Sequence, residues 1–203
     1  MLLLISIVSP LFPIFIGIRN RHSVLWWYCI CSILNECLVP VIRGVLQAEV
    51  AISSNIYAIF EFSLILIYYK NKVFRLNTLF YFIFLISLVF FIASTTFYSS
   101  WLKLNRIGIS IFMINYICLS IAGFYNILKQ QKILFLEKSS FFWSNVAILI
   151  YAAGAFFLFL STSHIKNSAD RLALTQLWNT LFLSLNILKN ILLGIALSKK
   201  EES

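Results

Sequence analysis

Three ionisable residues stand where ionisable residues are costly. Glu36, Glu61 and Lys189 each lie inside a long run of apolar side chains. An ionised group at a bilayer centre costs roughly 2.5–3.5 kcal/mol on insertion scales, so such residues turn inward, pair, and point to function. Amides accompany them at Asn35, Asn115, Asn145, Asn179, Asn186 and Asn190. The expected polar core of the protein is therefore Glu36, Glu61, Asn115, Asn145, Asn179, Asn186, Lys189 and Asn190. Gln176, Asn179, Asn186 and Asn190 follow one another at 3, 7 and 4 residues, which lines up one helical face. Lys189 lies beside that stripe, and Leu, Ile and Phe occupy the opposite face. Such a helix turns its polar side to a bundle and its apolar side to lipid. The stripe then serves either interhelical hydrogen bonds, worth about 0.6 kcal/mol each, or a polar cavity. A Glu61–Lys189 ion pair needs a lysine stem to bridge roughly 9 Å of depth at 1.5 Å per residue; the alternative is a stem that snorkels to the interface.

Other chemistries find no residues to carry them. The two histidines, His22 and His164, fall on opposite sides of the expected membrane, so they cannot share a metal. The sequence has no GxSxG, HExxH, P-loop or GxGxxG pattern. Cys29, Cys31, Cys37 and Cys118 sit in apolar stretches and act as small hydrophobes. A lysine in a last span with a carboxylate in the third invites comparison with retinal proteins. Leu185, however, stands where the microbial pattern wants an acid, and the Arg-Tyr-x-Asp-Trp type of run is missing. No catalytic residue, cofactor or metal is expected.

The elements that must position these residues are membrane helices. Of the 203 residues, 61% are hydrophobic and 11% charged, with a mean hydropathy of +0.93. A soluble domain is about 45–50% apolar and about 25% charged, and folding cannot hide the difference. A crossing helix takes about 20 apolar residues. Seven segments qualify as expected spans, near 2–18, 24–42, 50–69, 78–98, 107–128, 140–160 and 172–198. The first carries Pro10 and Pro13, which predict a kink. The connections of about 4 to 13 residues and the short tail after Ser198 leave no room for a soluble domain, so 1–203 reads as one transmembrane domain. The predicted fold class is all-α, a polytopic bundle of about seven spans.

Charge orients that bundle. Ten basic residues follow the odd-numbered spans and five follow the even-numbered ones, within a net charge of +9. The positive-inside rule then puts the N-terminus outside and the C-terminus inside. The excess reads as topology and lipid contact, with no direct nucleic-acid binding. Tyr28, Tyr68, Tyr69, Tyr98 and Trp101 lie near span ends, where amphipathic rings favour the interface. Ala152, Ala153, Gly154 and Ala155, and Ser120 with Gly123, predict close helix approach.

Three stretches carry a family likeness. They are Tyr57-x-x-x-Glu61-Phe62; Phe142-Trp143 with Leu149-Ile150-Tyr151-x-x-Gly154-x-x-Phe157-Leu158-Phe159-Leu160; and Leu185-Asn186-Ile187-x-Lys189-Asn190-Ile191-Leu192. Together they resemble a group of uncharacterised multi-pass membrane proteins of Bacteroidota, which supplies no activity. In size and hydropathy the chain is also similar to small membrane accessory proteins of RNA-targeting (type VI) CRISPR systems. The leading expectation is a non-enzymatic protein of the bacterial inner membrane, sensor-like or accessory, acting through a protein partner or as a homo-oligomer among membrane lipids. One alternative is an anti-phage effector that oligomerises and permeabilises the membrane, its polar stripe lining the pore. Another is an intramembrane lipid-modifying enzyme.

Overall fold

A computed structural model describes residues 2–21, 23–44, 50–73, 77–97, 101–130, 136–163 and 168–199. Within these, the side chains of 3, 40, 43, 44, 77–80, 130, 161–163 and 168–175 are not described. His22, His164 and Tyr98 lie outside the described residues. The regular elements among the described residues are all helical, the α-helices being α1 (Leu2–Val8), α2 (Leu11–Ile16), α3 (Val24–Gly44), α4 (Val50–Lys72), α5 (Asn77–Phe97), α6 (Arg106–Gln130), α7 (Ser140–Ser163) and α8 (Ser168–Ser198). A lipid core offers backbone groups no water, and helices satisfy them internally.

Among the described residues, four stretches are long and apolar enough to cross a membrane: Val50–Lys72, Arg106–Lys129, Ser140–Leu160 and Gln176–Ser198. These match the third, fifth, sixth and seventh expected spans. The other three expected spans coincide with shorter apolar stretches, Leu4–Asn20, Val24–Val39 and Tyr81–Phe97. The first is broken into α1, α2 and a 3₁₀ turn, Gly17–Asn20, by its prolines. Pro10 has no N–H for the Ser6 carbonyl, and the Ser9 hydroxyl donates to that carbonyl instead, at 2.8 Å. Pro13 likewise abandons the Ser9 carbonyl, which accepts from the Phe12 N–H at 3.2 Å.

Residue pairings give the relative directions of the helices. Ser6 meets Asn186, Ser9 meets Asn190, and Asn20 meets the Leu197 carbonyl, so α1–α2 runs parallel to α8. Tyr69 meets Ser120 and the Lys72 carbonyl meets Asn126, while Phe62 stacks on Phe112; α4 and α6 are also parallel. α5 runs against α6, as Ser87 meets Asn115 and Phe91 stacks on Phe112.

Apolar packing holds this arrangement. Phe84, Phe62, Phe112 and Phe91 form a ladder of nearly parallel rings across α4, α5 and α6, with centroids 6.3, 4.1 and 4.9 Å apart. In the small-residue run of α7, Ala152 and Ala155 are fully buried and Ala153 and Gly154 half-buried; Ala147, outside the run, is fully buried too. At Gly154 an added Cβ would stand 2.4 Å from the Leu185 side chain of α8. The start of α6 is capped by Asn105, whose Oδ1 accepts from the Gly108 N–H at 2.9 Å.

Candidate functional site

The helix directions bring five of the expected polar residues to one place. Asn186, Lys189 and Asn190 of α8 are buried there, with Glu61 of α4 and the half-buried Glu36 of α3. Asn186 Nδ2 donates to Glu36 Oε1 and to Ser6 Oγ, both at 3.1 Å. One turn on, Asn190 Nδ2 donates to Ser9 Oγ at 2.7 Å. The broken first segment thus supplies two serine hydroxyls to the face of α8 that carries the amides.

Glu61 and Lys189 are 5% and 2% exposed. Among the described residues they form no direct ion pair. Tyr28 of α3 stands between them instead. Its hydroxyl donates to Glu61 Oε1 at 2.9 Å, and its ring centroid lies 5.3 Å from Lys189 Nζ. The Tyr151 ring of α7 also lies against the ammonium, its centroid 4.3 Å from Nζ. Both carboxylates remain within electrostatic reach of Lys189. The cluster therefore holds two acids and one base inside the bundle, an imbalance that a lone ion pair would not have.

Two more tyrosines complete the surroundings. Tyr57 lies one turn before Glu61 on α4, and Tyr116 of α6 stands within electrostatic reach of Glu61, Tyr57 and Tyr151. Tyr116 is 0% exposed, and its hydroxyl has no hydrogen-bond partner among the described residues. The Asn190 Oδ1 is likewise buried, with no partner among the described residues. Most buried polar atoms in proteins are satisfied, so two such atoms beside one charged cluster mark spare bonding capacity.

The remaining expected residues are placed elsewhere. Asn145 of α7 belongs to a separate lock: its Nδ2 donates to the Ser120 carbonyl at 2.8 Å, and its Oδ1 accepts from the Tyr69 hydroxyl. Tyr69 also meets the Ser120 hydroxyl at 2.9 Å, and Tyr68 meets Ser144. Gly123 makes room, since an added Cβ would stand 2.7 Å from Asn145 Oδ1. Asn115 bonds Ser87 of α5 at 3.0 Å and its own helix at the Ile111 carbonyl. Asn179 is a correction, for it is exposed. Ser6 and Ser9 meet α8 at Asn186 and Asn190, and Asn179 lies seven residues, about 10 Å, before the first of these bonds.

Tyrosine was the signal that sequence reasoning missed. Tyr28, Tyr68 and Tyr69, expected at the interface, are buried. Only Trp101 of that described group is exposed. Tyr57 and Glu61 stand four apart, a spacing that puts both on one helical face and could have tied the ring to the acid. Asn55 and Asn105 were also missed. The Asn105 N–H donates to Asn55 Oδ1 at 3.0 Å, and the Asn105 Nδ2 reaches the Phe91 carbonyl, Ser94 and Thr95. These amides sit near the ends of helices, where no apolar run draws attention to them.

No protein-family model, no characterised protein and no solved structure matches this chain. The charged cluster must be interpreted from its own geometry.

Proposed function

We propose that the chain is a non-enzymatic, seven-pass protein of the bacterial inner membrane, N-terminus out and C-terminus in, that works as a sensor-like or accessory component through a partner. Its charged core is the part that responds. The observation that carries this reading is the core's incomplete bonding: two acids with one base, and a buried Tyr116 hydroxyl and Asn190 oxygen without partners. A fully satisfied network has one good arrangement. An under-satisfied one has several of similar energy, and a ligand or partner helix that bonds one of them better shifts the population. The alternating helix directions support the seven-pass arrangement.

A self-assembling, membrane-permeabilising effector of a CRISPR-type defence system has less support. Asn186 and Asn190, which would line its pore, bond Glu36, Ser6 and Ser9 within one chain. The test is cross-linking and affinity capture from native membranes, comparing wild type with Glu61→Gln and Lys189→Met. A partner held by wild type and lost from both variants is the expected result. No partner in wild type, or equal recovery from variants that still reach the membrane, refutes the proposal.

A further inference from the structure

We infer that the face shared by α1, α2 and α8 binds one anionic phospholipid, with an acyl chain in an apolar groove and the phosphate against Arg19 and Arg21. The groove has a volume of about 550 Å³ and is lined by Leu4, Val8, Phe12, Ile187 and Ile191, among others. That is the size range of small-molecule sites, and its walls are almost wholly apolar. Its lining spans the break between α1 and α2, with Val8 and Ser9 before Pro10 and Leu11 and Phe12 after it. At the break and just after it the chain is pinned to α8, by the Ser9–Asn190 bond and by the Phe12 ring. Phe12 packs so closely on Gly194 that an added Cβ there would stand 2.3 Å from its ring.

Charge selects the occupant. Phe12, Phe15 and Arg19 are exposed and follow one another at three and four residues, so the groove wall continues along one face to a cation. From Phe12 to Arg19 is about 10–12 Å of helical rise. This places a headgroup at Arg19 and leaves the chain to run along Phe12, Val8 and Leu4. Arg21 is exposed at the same end. Asn20 anchors that end by donating to the Leu197 and Lys199 carbonyls, at 2.9 and 3.3 Å, which brings the end of α8 alongside. Arginine suits a phosphate because its planar fork donates two bonds at once. A neutral or purely apolar ligand would gain nothing from these arginines.

The inference does not depend on whether the charged core captures a partner, since its readout is lipid alone. The full chain, purified in mild detergent, is mixed with phosphatidylglycerol or with phosphatidylcholine of identical acyl chains and examined by native mass spectrometry. One phosphatidylglycerol per chain should be retained, preferred by about thirtyfold, the factor expected for two arginines facing an anionic headgroup. Arg19→Gln with Arg21→Gln should abolish the preference, and Val8→Trp with Ile191→Trp should fill the groove and remove the adduct. A photoreactive group on the acyl chain of phosphatidylglycerol gives a readout without mutation, and should label Leu4–Phe12 and Ile187–Ile191. Inorganic phosphate should not displace the lipid. Equal retention of both lipids, displacement by inorganic phosphate, labelling spread over the other helices, or a second copy of the chain cross-linked at this face would each overturn it.

Discussion

Two clusters bury tyrosines and asparagines in the same bundle on opposite terms. In the lock of α4, α6 and α7, Asn145 uses both ends of its amide, Tyr69 has two partners, and Gly123 leaves just enough room. In the charged core of α3, α4 and α8, Asn190 uses only its Nδ2, and Tyr116 uses nothing. Lys189 is held there by ring faces rather than by carboxylate oxygens. The first cluster resembles a bolt and the second a site. Burial of a polar group within the bundle is common to both clusters; unmet bonding capacity beside it is what sets the second apart.

The largest effect should come from the lock. Gly123→Leu forces side-chain atoms into Asn145 and should cost about 3 kcal/mol, the upper end for overpacking, measured by reversible unfolding in mixed micelles. A loss below about 1 kcal/mol would mean that the lock has slack and that the contrast is not one of fit. A matched pair of substitutions sharpens the comparison further. Tyr69→Phe strips Asn145 Oδ1 of its donor and should cost about 1–2 kcal/mol. Tyr116→Phe removes a hydroxyl that bonds nothing, so it should be neutral or stabilising. Equal losses from the two would erase the distinction.

In the charged core, replacing the charges together should separate stability from action. Glu61→Gln combined with Lys189→Met should stay within about 1 kcal/mol of wild type, because buried charges return little net stability. The same protein should lose its partner in the capture experiment. A fold that collapses instead would make the charged core a second bolt. The smallest effect belongs to Asn179→Ala, expected under about 0.5 kcal/mol for an exposed position. A larger loss would place it in an interhelical contact after all.

Much of the core was legible in the sequence. Glu36, Glu61 and Lys189 stand in apolar runs, and Asn186 and Asn190 share a face of α8; burying them in one bundle is the cheapest outcome for all five. Asn179 belongs to the same periodic stripe yet faces outward, because periodicity describes a helix and not the length over which a neighbour covers it. Tyr28, Tyr68 and Tyr69 were misplaced for a related reason. A tyrosine near a span end suits the interface and the bundle interior equally, and only the helix opposite decides between them.

The sequence by itself determined that this is a helical chain built for lipid, where its first segment would break, and which side chains lipid would not tolerate. These follow from transfer free energies and backbone bonding, which are local and nearly additive along the chain. Only the tertiary structure decided that Glu61 and Lys189 meet through Tyr28 rather than directly. It alone sent Asn145 to Tyr69, and left Tyr116 and Asn190 with bonds to give. A hydrogen-bond partner depends on which side chain a different helix presents at the same depth, within about 3 Å, and that is a property of the packed bundle.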